Sequence, residues 1–164
     1  KYSFINRNLY FYFTDRIKRL LSSNLNIQSS VAFYAEMTYN EINIGKHHLI
    51  IFDHALLNTG NGYSSGIFTA PQTGVYVFMW TVRIHSQSII LIVNGQTYTS
   101  LYNRPYQYSA VGHNDADESV TGIAIVHVNQ GDDVYLRTHT TYDGTRSVFS
   151  NEYGKSTFGG WIML

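Results

Sequence analysis

From Gly74 to Ile84 every second residue is large and apolar: Tyr76, Phe78, Trp80, Val82 and Ile84. The residues between them open as Val75, Val77 and Met79 before turning to Thr81 and Arg83. A period of two puts the two sets on opposite faces of one strand. A strand in a simple sandwich needs one apolar face, so the second apolar half must meet another layer or another subunit. Ile89–Val93, apolar throughout, makes the same demand. Both favour a homo-oligomer, and a covering N-terminal arm would satisfy them as well.

Turn chemistry interrupts this pattern at short intervals from Val31 onward, which predicts an all-β domain. Asn94-Gly95 separates two apolar runs and suits a two-residue type I′ turn, because Asn and Gly tolerate positive φ. Ala70-Pro71-Gln72-Thr73-Gly74 and Asn129-Gln130-Gly131-Asp132 read as two more reversals. The spacing predicts strands at 31–36, 48–53, 66–69, 74–84, 89–94, 97–101, 119–128, 133–140 and 156–164.

Residues 1–30 differ from this body, residues 31–164. Leu9, Phe13, Ile17, Leu20 and Leu21 fall at spacings near three and four, with Thr14-Asp15 placed as an N-cap and first-turn acid. The expectation is an N-terminal arm with a short amphipathic helix around 14–22, packed on the body or ending an oligomerising stalk. It holds five cations against Asp15, leaving six cations and ten acids in the remainder.

With 11 basic and 11 acidic residues in 164, and only 13% charged, no polyelectrolyte attraction to nucleic acid or anionic membrane is indicated. The chain has no cysteine, so disulfides and thiolate chemistry are excluded. No apolar run reaches membrane-spanning length, and the N-terminus lacks a secretory h-region, so the expectation is a soluble chain already processed. Fourteen Tyr, nine Phe and two Trp suit both pleated strands and a contact surface.

Several blocks are specific. Val31-Ala32-Phe33-Tyr34-Ala35 opens the body, followed by Ile51-Phe52-Asp53-His54-Ala55-Leu56-Leu57-Asn58-Thr59-Gly60 and then Gly66-Ile67-Phe68-Thr69-Ala70-Pro71-Gln72-Thr73-Gly74-Val75-Tyr76-Val77-Phe78. Val93-Asn94-Gly95, Gly131-Asp132-Asp133-Val134-Tyr135-Leu136 and Ser156-Thr157-Phe158-Gly159-Gly160-Trp161 follow in order. In these blocks the body resembles the globular head domain of complement C1q. The resemblance implies a ten-stranded jelly-roll β-sandwich related to tumour necrosis factor, packed as a homotrimer. It also implies a secreted, extracellular, non-enzymatic protein that binds surfaces, glycans or other proteins. These residues hold no Gly-X-Y repeat, so the expectation is a head without the collagen stalk of complement-type members. Stand-alone heads of this kind resemble invertebrate, mollusc-type proteins of innate immunity, often lectin-like.

Alternating strand directions send the short turns at Pro71–Thr73, Asn94-Gly95 and Gln130-Gly131 to one pole, and His85–Ser88, Tyr102–Asp117 and Thr141–Lys155 to the other. The long segments carry Arg104, Tyr106, Tyr108, His113, Tyr142 and Arg146, along with Tyr102 and Tyr153, among small polar residues. This is the composition of adaptable binding loops on a rigid scaffold. Aromatic faces stack on sugar rings while Arg and Asn bond hydroxyls, so glycans, microbial surface polysaccharides among them, are the expected partners. A merely solvated loop surface has the same composition. Asn114-Asp115-Ala116-Asp117-Glu118 gathers hard oxygen ligands that can hold calcium through Asp115 and Asp117. An ordinary acidic turn also looks like this, and no cofactor is required. The rival function is a trimeric protein-binding ligand or extracellular matrix component without lectin activity.

Two motifs are decoys. Gly62-Tyr63-Ser64-Ser65-Gly66 fits the nucleophile-elbow pattern, which works only between a strand and a helix, whereas a strand is expected to follow here. His47-His48 on a strand would point to opposite faces and could not share one ion. These two and His54 read as surface or hydrogen-bonded residues.

Overall fold

The computed structural model describes residues 30–85, 87–103, 117–140 and 146–163, and these form a two-sheet jelly roll. The N-terminal arm, with the helix expected at 14–22, lies outside the described residues. Twelve strands are present among them: β1 (Ala32–Glu36), β2 (Glu41–Ile44), β3 (His54–Thr59), β4 (Tyr63–Ser64), β5 (Ile67–Thr69), β6 (Gly74–His85), β7 (Ser88–Val93), β8 (Gln96–Tyr102), β9 (Glu118–Val128), β10 (Asp133–Thr138), β11 (Arg146–Phe149) and β12 (Thr157–Ile162). One sheet runs β2-β11-β6-β12-β1-β3, with β9 along the other edge of β6, and the second runs β4-β5-β10-β7-β8. All pairings are antiparallel.

The alternation on β6 sets the core. Tyr76, Phe78, Trp80, Val82 and Ile84 are all buried on its inner face. Phe33 of β1 is the hub of the aromatic packing, stacked on Tyr63 and on Phe68 at 4.8 Å each and edge-on to Phe158 at 5.0 Å. The Tyr63 hydroxyl donates to the carbonyl of Phe52 at 2.7 Å, and burial holds its phenol well above the usual range. Rings this large leave room for nothing on the strand beside them. Gly122 faces Trp80 across the β6–β9 ladder, and a Cβ there would lie 2.2 Å from the indole. Gly160, between Phe78 and Phe33, is confined in the same way at 2.6 and 2.9 Å.

The segment expected as a strand at 48–53 is a correction. His48, Leu49 and Ile50 run beside β10 through a bridge of Leu49 to Arg137 and hydrogen bonds from Thr138 N to His48 O and from Ile50 N to Leu136 O, without a ladder. Ile50 and Phe52 still fill the core. The strand itself begins six residues later, at His54, and β2, β4 and β11 add pairings that the pattern did not reveal. Asn94 and Gly95 both have positive φ, as the I′ turn requires.

Asp53 anchors the start of β3. The Thr38 amide donates to one carboxylate oxygen at 2.7 Å and the Thr38 hydroxyl donates to the other. Burial alone would raise the Asp53 carboxyl, but these bonds outweigh it and hold the group below the usual carboxylate range. The unfolded chain, at about pKa 3.9, therefore binds a proton before the folded one does. The resulting stability is present above that value and is lost as pH falls through the lower folded one. Between pH 5 and 3, Asp53→Asn should lose less melting temperature than the native chain. Equal losses would show that the pair contributes nothing.

Candidate functional site

The two poles differ as the strand directions require. At the short-turn pole, Gly131 N donates to Ala70 O, Ala70 N to Asp132 O, Asn94 N to Asp133 O and Gln130 N to the Thr73 hydroxyl. Both ends of the described body are tied nearby, Ile162 N to Val31 O and Met163 N to Val75 O. That end is closed by backbone hydrogen bonds and offers little adaptable surface.

At the opposite pole the flanks of the long segments converge on the end of β6. Asn103 Nδ2 donates to Ile84 O at 3.4 Å, while Glu118 pairs with the same Ile84. The two flanks of residues 104–116 therefore meet there. His139 N donates to Ser88 O, and Ser147 pairs with His85, which brings both flanks of residues 141–145 to the same place. Arg104, Tyr106, Tyr108, His113 and Asp115, and likewise Tyr142, lie outside the described residues. Arg146 opens β11 with its backbone paired to Ile44.

Asp117 is described, and its carboxylate accepts from Arg83 Nε. Arg83 is a residue that sequence reasoning passed over, although a charged side chain closing an otherwise apolar strand was the available signal. Its guanidinium also donates through Nη1 to Asn151 Oδ1 at 2.8 Å and to Gly154 O at 3.5 Å, and lies 5.6 Å over the Phe149 ring. One side chain thus ties the segment before β9 to the turn between β11 and β12. Asn151 and Gly154 close that turn with a pair of backbone bonds, and Tyr153 N donates to Asn151 Oδ1 at 3.0 Å. Ser150 and Ser156, both buried, bond to each other and to the Met37 and Phe149 carbonyls. The turn is built into the scaffold.

The outer face of the seven-stranded sheet is the other unusual surface. Ile123, Met79, Gly159, Tyr34 and Leu57 form one continuous row across five strands, and Ile125, Val77 and Trp161 form the next. Ile123 and Ile125 are 64% and 59% exposed, so this apolar face has no cover among the described residues. Toward the long-loop pole the following row is polar: Thr121, Thr81, Thr157, Glu36 and His54. The second face of β7 differs from that of β6, because Ile90 and Ile92 are buried within the chain and make no demand for a partner.

Two of the histidines pair with acids. His48 Nε2 lies 2.7 Å from Glu41 Oε2 and His54 Nδ1 lies 3.3 Å from Glu36 Oε1. His47 sits at φ 55 in a turn, not on the strand expected there. Among the described residues no three His, Asp or Glu side chains are placed to share an ion. Ser64 of the decoy motif lies on β4, followed by Ser65 and Gly66 at positive φ and then by β5, so no elbow forms.

The C1q domain family model matches residues 32–163. The chain belongs to the C1q-domain family. Relatives include Caprin-2 of Danio rerio, 30% identical over 83% of this chain and 14% of its own length. The heavy metal-binding protein HIP of Mytilus edulis is 30% identical over 81% of this chain and 60% of its own length. Complement C1q tumor necrosis factor-related protein 3 of Mus musculus is 28% identical over 82% of this chain and 51% of its own length. The chain thus spans less than two thirds of each. Among solved structures, the globular domain of zebrafish complement 1qA protein superposes with TM-score 0.61 at 15% identity, covering 82% of this chain and 98% of that one. Murine APRIL superposes at 0.57 and 14% identity, over 82% and 99% of the two chains. These two likenesses establish the shared jelly roll. Among the described residues no helix is long and apolar enough to cross a membrane.

Proposed function

We propose that this C1q-domain protein is a secreted, non-enzymatic recognition module of innate immunity. In this reading it assembles as a homotrimer through the outer face of the seven-stranded sheet and binds glycans, microbial surface polysaccharides among them, at the long-loop pole. The observation that carries the reading is the separation of the two surfaces. An apolar band suited to burial against a second copy ends at a polar row, and beyond that row lies the pole where the flanks of the long segments meet. Assembly through the band leaves the pole open to solvent. The composition of the pole's segments, Tyr and Arg among small polar residues, suits hydroxyl-rich rings.

Calcium at Asp115 and Asp117 stays part of the proposal in conditional form. Arg83 already compensates the Asp117 charge, so a cation would have to compete with a guanidinium. The broad apolar face supports a second reading, a trimeric protein-binding ligand without lectin activity.

The test is light scattering followed by a glycan-array screen with and without chelator. A particle of three times the chain mass that binds a related set of glycans is the expected result, and loss on chelation would assign calcium to the acidic segment. A blank array from a folded trimer would end the glycan reading in favour of protein partners. A monomer would remove the assembly part.

A further inference from the structure

Tyr153 is 87% exposed, the most exposed large hydrophobic side chain among the described residues. A solitary exposed ring is ordinary on a mobile loop, but this one stands on a turn whose backbone is hydrogen-bonded at Asn151, Tyr153 and Gly154. Asn151 and Gly154 exchange hydrogen bonds at 3.0 and 3.3 Å, the Tyr153 amide is bonded to Asn151 Oδ1, and the same Oδ1 accepts from Arg83. Arg83 reaches Asp117 as well, so the turn and the segment before β9 are fixed by one guanidinium. A tyrosine has only two side-chain torsions to immobilise, and on a backbone already ordered, little freedom remains to be lost on binding.

The chemistry around the ring narrows the occupant. Its chain neighbours are Glu152, which is exposed, and Gly154, and the turn that carries it rests on Arg83, which bonds Asn151 and Asp117. An apolar protein anchor site would surround such a ring with apolar neighbours. Here one flat apolar surface sits among charged and hydrogen-bonding groups, which matches a sugar ring: one face of C–H bonds and an edge of hydroxyls.

We infer that Tyr153 is a glycan-contacting residue at the long-loop pole, stacking on a sugar ring, and that Arg83 is the positioning residue that holds its turn. This rests on the glycan reading above and narrows it to one ring of that pole. Arg83 works through shape. Its fork bonds three partners at once, which the single ammonium of lysine cannot reproduce.

The experiment uses the full chain and its Tyr153→Ala, Tyr153→Phe, Arg83→Lys and Arg83→Lys/Tyr153→Ala variants. Binding to immobilised mannan and lipopolysaccharide is measured alongside mass by light scattering and melting temperature. Tyr153→Ala should weaken binding by about tenfold or more at unchanged mass, as loss of a central aromatic contact does, while Tyr153→Phe stays within about threefold. Arg83→Lys should weaken binding in the native background and add nothing in the Tyr153→Ala background, whereas a purely structural effect on melting would persist in both. Native binding that Tyr153→Ala leaves intact overturns the inference and spares the glycan reading. A change of mass in Tyr153→Ala overturns it by making Tyr153 a subunit contact. A native chain that binds neither polysaccharide, on a blank array, overturns both.

Discussion

Phe33→Ala should destabilise the domain by about 3–5 kcal/mol, the usual cost of removing a fully buried phenylalanine from a core that cannot collapse around the gap. Phe33 is 2% exposed and touches rings from four other elements: Tyr63 of β4, Phe68 of β5, Phe78 of β6 and Phe158 of β12. Those elements belong to both sheets, so the cavity would open between the layers, where neither sheet can shift without breaking its ladder. Against a typical total of about 5–15 kcal/mol, a loss of this size leaves a marginal or unfolded protein. A urea titration should show the midpoint falling with the slope unchanged, and Phe33→Leu should fall by less than half as much. A midpoint shift below that of a surface substitution would mean that the ring cluster is not the joint between the sheets.

The second large effect comes from adding one methyl group. In Gly122→Ala the new Cβ would fall 2.2 Å from Trp80 Cζ2 and 2.3 Å from Cε2, distances that only displacement of the indole or of β9 can relieve. Trp80 is 1% exposed and sits in the middle of the longest ladder in the molecule, so neither moves freely. Overpacking of this kind costs about 1–3 kcal/mol and sometimes more, which for a chain of this length places the fall in melting temperature at roughly 2–12 °C. Trp80→Phe in the same chain should recover part of it, because the smaller ring vacates the atoms that clash. If the double variant melts no higher than Gly122→Ala alone, the clash is not with the indole and the cost lies in the backbone of β9.

The parts of the fold that were legible in the sequence are those whose signal is local. Tyr76, Phe78 and Trp80 alternate on one strand, and Asn94-Gly95 names its own turn; each is a statement about neighbours in the chain. The misreading at 48–53 has the same origin. Leu49-Ile50-Ile51-Phe52 is an apolar run, and an apolar run signals burial, which the structure upholds for Ile50 and Phe52, but not pairing, which needs a partner edge. Conversely, β3 carries Leu56 and Leu57 exposed at the sheet's edge, and Glu41–Ile44 and Arg146–Phe149 are four residues each, too short for any period to show.

The recognition surface divides along the same line. The polarity of the two poles could be read from turn lengths, because antiparallel neighbours must alternate direction. The second apolar face of β6 could be read as well, but not that the matching face of β7 is covered inside the chain, since burial depends on what the other elements bring to it.

The sequence by itself determined the all-β class, the order of the reversals and the apolar inner face, because strand period and turn conformation are properties of adjacent residues. Only the tertiary structure decided that Arg83 meets Asp117 and Asn151, residues 34 and 68 positions away, and so fixes the turn that exposes Tyr153. The physical reason is that a side-chain hydrogen bond across that separation depends on sheet register and strand order, which no local pattern of apolar and polar residues encodes.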